Sequence, residues 1–169
     1  RYEEAIEIYQ RIIRINPDDS HAYYSLGSVL NNLNHHTEAI DAFKRAIEIN
    51  PNYAIAYNYL GLLYINLERY EDAIQVFKNA IRVEPESFKV YESLGVAYSG
   101  SGNYEEAIKS YTQALNVNPD DANSYSGLGY AYSDLERYEE AVKAYKQAVE
   151  IEPNNASTYF LLGLMYRHL

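Results

Sequence analysis

The chain has 169 residues, 47% apolar composition, a formal net charge of −10 and no cysteine. The acidic balance disfavours free nucleic acid, whose phosphates need clustered Lys and Arg, and it disfavours an anionic membrane surface for the same reason. The lack of thiols excludes disulfides, thiolate chemistry and cysteine-ligated zinc, and no apolar run is long enough to cross a bilayer.

These numbers predict a cytoplasmic chain in a reducing compartment, with basic or neutral protein surfaces as partners. No signal-peptide pattern opens the sequence. The first residue is Arg1 and the only methionine is Met165, so the expectation is a segment of a longer protein.

In chain order the first predicted element is a lone helix over about 2–15, followed by Pro17. From there one pattern recurs. Pro17, Pro51, Pro85, Pro119 and Pro153 each lie 34 residues after the last, and so do Gly27, Gly61, Gly95, Gly129 and Gly163. A fixed period of this size marks a repeat architecture. Within 54–87, Tyr57, Leu60, Gly61 and Tyr64 share one helical face, and Ala73, Ile74, Phe77, Ala80 and Ile81 share another. Spacings of three and four residues predict two amphipathic helices, A and then B. The proline stands just past helix B, where it cannot continue the ladder. Two residues beyond the proline, Asp19, Ser87, Asp121 and Asn155 are predicted N-caps, and Tyr53 breaks that pattern. The predicted order is a half repeat (1–19, helix B), full repeats at 20–53, 54–87, 88–121 and 122–155, and a half repeat (156–169, helix A).

The helix A signature, such as Tyr91, Leu94, Gly95 and Tyr98, and the helix B signature, such as Ala107, Tyr111, Ala114 and Pro119, resemble the tetratricopeptide repeat family over the whole chain. Departures are few: Leu30 replaces an aromatic, Ile12 a small residue, and His36 stands where other repeats have Tyr70, Tyr104 and Tyr138. The resemblance implies an all-α fold, a single right-handed α-solenoid over 1–169. Helix A would line its concave side and helix B its convex side. One hairpin cannot bury its apolar face alone, so neighbours must stack. The family's function implied for this chain is non-catalytic binding of a protein or peptide segment in the concave groove.

Of the 20 tyrosines, all but Tyr24, Tyr53, Tyr59 and Tyr130 fall on recurrent packing slots. Tyr53 lies in a connection. Tyr24, Tyr59 and Tyr130 lie on helix A, away from those slots, and Phe160 joins them. Aromatics sharing one exposed face are candidate binding residues. The predicted groove set is Tyr24, Ser28, Asn58, Tyr59, Leu62, Lys89, Glu92, Ser126, Gly127, Tyr130 and Phe160. Asn and Ser supply hydrogen bonds to a peptide backbone, and Tyr packs its side chains. Gly127 beside Tyr130 is expected to leave a dent for a ligand backbone.

The family's carboxylate clamp for chaperone C-terminal tails needs Lys, Asn and Arg at set offsets. Only Lys89 occupies one, while Tyr24, Ser28, Tyr59 and Ser93 fill others, so such tails are not expected to bind. The asparagine ladder of the O-linked N-acetylglucosaminyltransferase is missing as well, its slot holding Ser25, Tyr59, Ser93 and Gly127.

Apparent chemical signals have simpler readings. His35 and His36 lie at an interhelical turn, and no metal or cofactor is expected. Gly100-Ser101-Gly102 lacks the Gly-Lys-Ser/Thr of a phosphate loop and is expected to loosen one turn. Glu105-Glu106 and Glu139-Glu140 open helix B, where the dipole favours them. No catalytic set converges, so the chain is not expected to be an enzyme. Two alternatives remain open: self-assembly by head-to-tail docking of the terminal helices, and service as the targeting arm of a larger enzyme.

Overall fold

A computed structural model describes residues 1–169. The chain is all-helical: α1 (Tyr2–Ile15), α2 (Ser20–Asn32), α3 (His36–Ile49), α4 (Ala54–Asn66), α5 (Tyr70–Val83), α6 (Phe88–Gly100), α7 (Tyr104–Val117), α8 (Ala122–Asp134), α9 (Tyr138–Ile151) and α10 (Ala156–Tyr166). The even-numbered helices are helix A of the repeat and the odd-numbered ones helix B. The architecture is an α-solenoid of stacked antiparallel hairpins. It divides into two compact units, residues 1–84 with α1–α5 and residues 85–169 with α6–α10.

Two kinds of helix end alternate along the chain, each with its own cause. Helix B always stops before the repeat proline. The C-cap residues that follow, Asn16, Asn50, Glu84, Asn118 and Glu152, have φ between −131 and −118° and ψ between 78 and 94°. A proline ring clashes with helical backbone in the residue before it and forces that residue to extend. Helix A ends in a Schellman motif. In α4, Glu68 N–H donates to the Ile65 carbonyl and Arg69 N–H to the Tyr64 carbonyl, both at 2.9 Å. The same pair of bonds closes α2, α6 and α8.

The motif requires a left-handed residue. Asn34, Glu68 and Glu136 adopt φ of 61, 56 and 58°, and Gly102 adopts 76°. The expected loosening at Gly100-Ser101-Gly102 is therefore corrected. This turn has the same bonds as the others, and Gly102 simply meets the backbone requirement without strain.

The N-caps are mixed. Asp19 accepts from Ala22 N–H at 2.9 Å, Asp121 from Ser124 N–H at 3.1 Å, and Asn155 from Thr158 N–H at 3.2 Å. Ser87, expected to cap α6, makes no side-chain cap bond. Its hydroxyl does not reach the free N–H groups.

Packing within each hairpin turns on the repeat glycine. A Cβ on Gly61 would lie 2.5 Å from Phe77 Cζ, so the α5 ring rests directly on the α4 backbone. Phe43, Phe77, Tyr111 and Tyr145 occupy this helix B slot and are all buried. Burying an aromatic of this size contributes on the order of 2–3 kcal/mol. The slot tyrosines on the terminal helices, Tyr2, Tyr159 and Tyr166, are half exposed, because only one neighbour packs against them.

Candidate protein-binding surface

In the first unit, α2 and α4 lie side by side and present their outer faces together. Tyr24 is the hub. Its ring lies 5.4 Å from Tyr59 and 5.6 Å from Tyr53, both edge to face, and 6.0 Å from buried Phe43. Edge-to-face pairs of this kind are favourable beyond the area they bury. Tyr59 is 38% and Leu62 39% exposed, while Tyr24, Ser28 and Asn58 are half-buried on the same two helices. His21 closes the edge of the patch, 6.1 Å from Tyr24, with its Nδ1 3.2 Å from the Ser25 hydroxyl. Burial first, and then hydrogen bonding to Tyr59, push the Tyr24 phenol up to about 12. Burial and the Asp19 carboxylate also raise Tyr53. Tyr24 and Tyr53 therefore keep their hydroxyl protons and present the patch with hydrogen-bonding rims.

Tyr53 was placed in a connection by the sequence pattern, and the structure adds it to the patch. The signal was there in a negative form. Its slot holds a capping residue type in every other repeat, so an aromatic at that position serves something other than capping.

In the second unit the corresponding face is built from α6 and α8. Lys89 donates to Glu92 at 2.8 Å and stands 3.9 Å from Asp121. The Glu92 hydrogen bond, followed by the charges of Glu92 and Asp121, raises the Lys89 pKa. Its ammonium is thus committed to two carboxylates. Ser126 is half-buried one turn before Tyr130, which is 47% exposed. Tyr130 meets Tyr104 at 6.3 Å. Phe160 on α10 is 67% exposed.

Gly127 requires a correction. The expected dent is filled, since a Cβ there would lie 2.4 Å from Tyr111 Cζ. Gly95 approaches the same ring from α6, where a Cβ would lie 2.6 Å from Cε1. Tyr111 is wedged between two helices that must both lack a side chain at that level. Gly127 is a packing residue and offers no room for a ligand.

His36 Nδ1 lies 3.2 Å from Asn31 Oδ1 and ties the turn to the end of α2. No group of three metal-binding side chains converges around it or elsewhere. No helix is long and apolar enough to cross a membrane.

The profile of the cytochrome c-type biogenesis protein H TPR domain matches residues 5–125, and tetratricopeptide repeat profiles match 110–143 and 130–168. The chain belongs to the tetratricopeptide repeat family. No curated protein matches it in sequence. Solved structures do. A crystal structure of MamA is 26% identical, covers 92% of this chain and 91% of its own, and superposes with a TM-score of 0.85. A thermophilic TPR protein of Thermus thermophilus, TTC0263, is 26% identical over 99% of this chain and 91% of its own, with a TM-score of 0.72. YrrB, described as a TPR protein with an unusual peptide-binding site, shares the fold at 22% identity and a TM-score of 0.79, covering 96% of this chain and 84% of its own. The repeat signature found in the sequence is thus the family's own, carried on the family's fold.

Proposed function

We propose that this chain is a non-catalytic interaction scaffold in which each unit holds an extended protein segment on its own exposed helix A face. The face is built from α2 and α4 in the first unit and from α6 and α8 in the second. The observation that carries the reading is the joining of Tyr24, Tyr53 and Tyr59 into one partly exposed aromatic patch. Tyr59 and Tyr130 pack on neighbouring rings yet keep 38% and 47% of their surface exposed for a partner. The hydroxyls and amides around them suit a peptide backbone, and the rings suit its side chains. YrrB, with its peptide-binding site, gives the fold a precedent for such use. Chaperone tails remain poor candidates, because Lys89 is already neutralised. The cysteine-free composition suits a reducing compartment such as the cytoplasm.

The test is to select binders from a random peptide library and measure their affinity for Tyr59→Ala/Tyr130→Ala, with helicity checked by circular dichroism. Binding is expected to fall at least about tenfold, the loss of roughly one anchoring ring. Unchanged affinity in a folded variant moves the site elsewhere.

Self-association is the second reading. It is supported by exposed Ile8 and Ile15 on α1 and by exposed Tyr159 and Phe160 on α10. Light scattering over a concentration series distinguishes the two, and a monomer throughout removes it.

A further inference from the structure

The helix A faces are almost bare of positive charge. Among α2, α4, α6, α8 and α10 the only Lys or Arg is Lys89, and Glu92 and Asp121 neutralise it. Negative charge is present and unevenly placed. Asp134 is the last residue of α8 and is exposed. That is a costly position for a carboxylate, because the unpaired carbonyls of a helix C-terminus already form its negative end. In the other repeats the same slot holds Asn32, Asn66 and Gly100. No Lys or Arg pairs with Asp134. The nearest candidate in sequence, Arg137, is bonded to Glu140 at 2.8 Å, approaches Glu105 at 3.7 Å and lies over the Tyr132 ring at 4.6 Å.

Beside this carboxylate stand two aromatic rings. Tyr130 is one turn before Asp134 on the same helix and has nearly half its surface exposed. Tyr104, at the start of α7, meets Tyr130 edge to face. The Tyr104 phenol is held protonated past its ordinary range by burial, then by the Asp134 charge and by Tyr130. Asp134 and Tyr130, four residues apart, share one face of α8, so the carboxylate stands beside the space that the rings border. A carboxylate and a helix C-terminus supply negative potential, and aromatic faces attract cations through their quadrupole. The other repeats place Ser28, Leu62, Val96 and Leu164 in the Tyr130 slot, so the combination occurs once.

We propose that Tyr104, Tyr130 and Asp134 form a seat for one Arg or Lys side chain of the captured segment. This rests on the binding role proposed above and adds the chemical class of the ligand: a basic peptide, anchored at the end of α8.

The test uses the isotopically labelled full chain and a blocked pentapeptide, Gly-Ser-X-Ser-Gly, with X as arginine, citrulline or glutamate. Amide shifts are followed by NMR. The arginine peptide is expected to move the Tyr130 and Asp134 signals and to bind about fivefold more tightly than the citrulline peptide, with the glutamate peptide weakest. Asp134→Asn should abolish the arginine preference and at the same time raise the melting temperature, since it relieves the negative helix end. Asp120→Asn, which removes an equal charge from an exposed connection, should leave the preference intact. Equal binding of the arginine and citrulline peptides, or no shift at Tyr130, overturns the seat and leaves the library test to decide the wider surface. Equal effects of Asp134→Asn and Asp120→Asn also overturn it, because the attraction would then be a diffuse field.

Discussion

One packing slot separates the two units. In residues 1–84 the middle of helix B is filled by Phe43 and Phe77, and in residues 85–169 by Tyr111 and Tyr145, all with 3% exposure or less. The phenylalanines need only space. The tyrosines carry hydroxyls into the core, where burial pushes both up to about 12. The neighbours on helix A differ in step. Phe43 meets Tyr59, ring to ring at 6.1 Å, and Tyr59 stays partly at the surface. Tyr111 instead fills the space that a side chain on Gly127 would need. The same repeat position yields a surface aromatic in one unit and an interior glycine in the other. A surface aromatic and a packing glycine can thus share a register, and only the ring behind them shows which is which.

The largest expected effect breaks the second unit at this slot. Tyr111→Ala should cost about 3–5 kcal/mol in urea unfolding, the usual range for emptying a buried aromatic site. Alkaline pH should show the next. A phenol whose folded pKa lies above its ordinary value of 10.0 contributes stability that is complete below pH 10 and is lost as pH rises through about 12. For Tyr111 that loss approaches about 2–3 kcal/mol, and Tyr145 adds to it. Tyr111→Phe/Tyr145→Phe, which gives the second unit the first unit's slot residues, should hold its circular dichroism signal to higher pH. Equal alkaline midpoints for this variant and the parent would break the comparison.

Gly127→Ala should destabilise by about 1–2 kcal/mol, an overpacking cost partly offset by better helix propensity. Ser126→Ala, one residue away, should be nearly neutral in the same denaturant titration. The smallest effect concerns the turns. Glu68→Gly and Glu136→Gly should each stabilise by about 0.5 kcal/mol, since a left-handed residue with a side chain is strained and glycine gives back part of the gain as chain entropy. Gly102→Ala should do the reverse, because a side chain there meets open space but keeps φ of 76°.

The repeat was legible because its physics is local. Proline after helix B, Leu-Gly in helix A and the three-and-four spacing each constrain the backbone within a few residues, so the helix order could be read directly. The exposure of Tyr59, Tyr130 and Phe160 was legible too, as departures from the packing slots. Gly127 was misread because its partner, Tyr111, lies in another helix. Sequence register shows which residues share a face but not which ring crosses to that face from behind. Tyr53 and Tyr104 were missed for a similar reason. One was assigned to a connection and the other to packing, yet each presents an edge to the aromatic patch of its unit. Ser87 had the right residue type for a cap and stands at the N-cap position, yet makes no side-chain cap bond.

The central claim is that the exposed rings of helix A hold the partner. The most direct measurement is an amide shift map with a library-selected peptide bound to the labelled chain. The largest shifts are predicted on the helix A face of one unit or of each, at Tyr24, Tyr59 and Leu62 in the first and at Ser126 and Tyr130 in the second. Shifts confined to the exposed faces of helix B, at Gln75, Lys109 or Gln113, would contradict it.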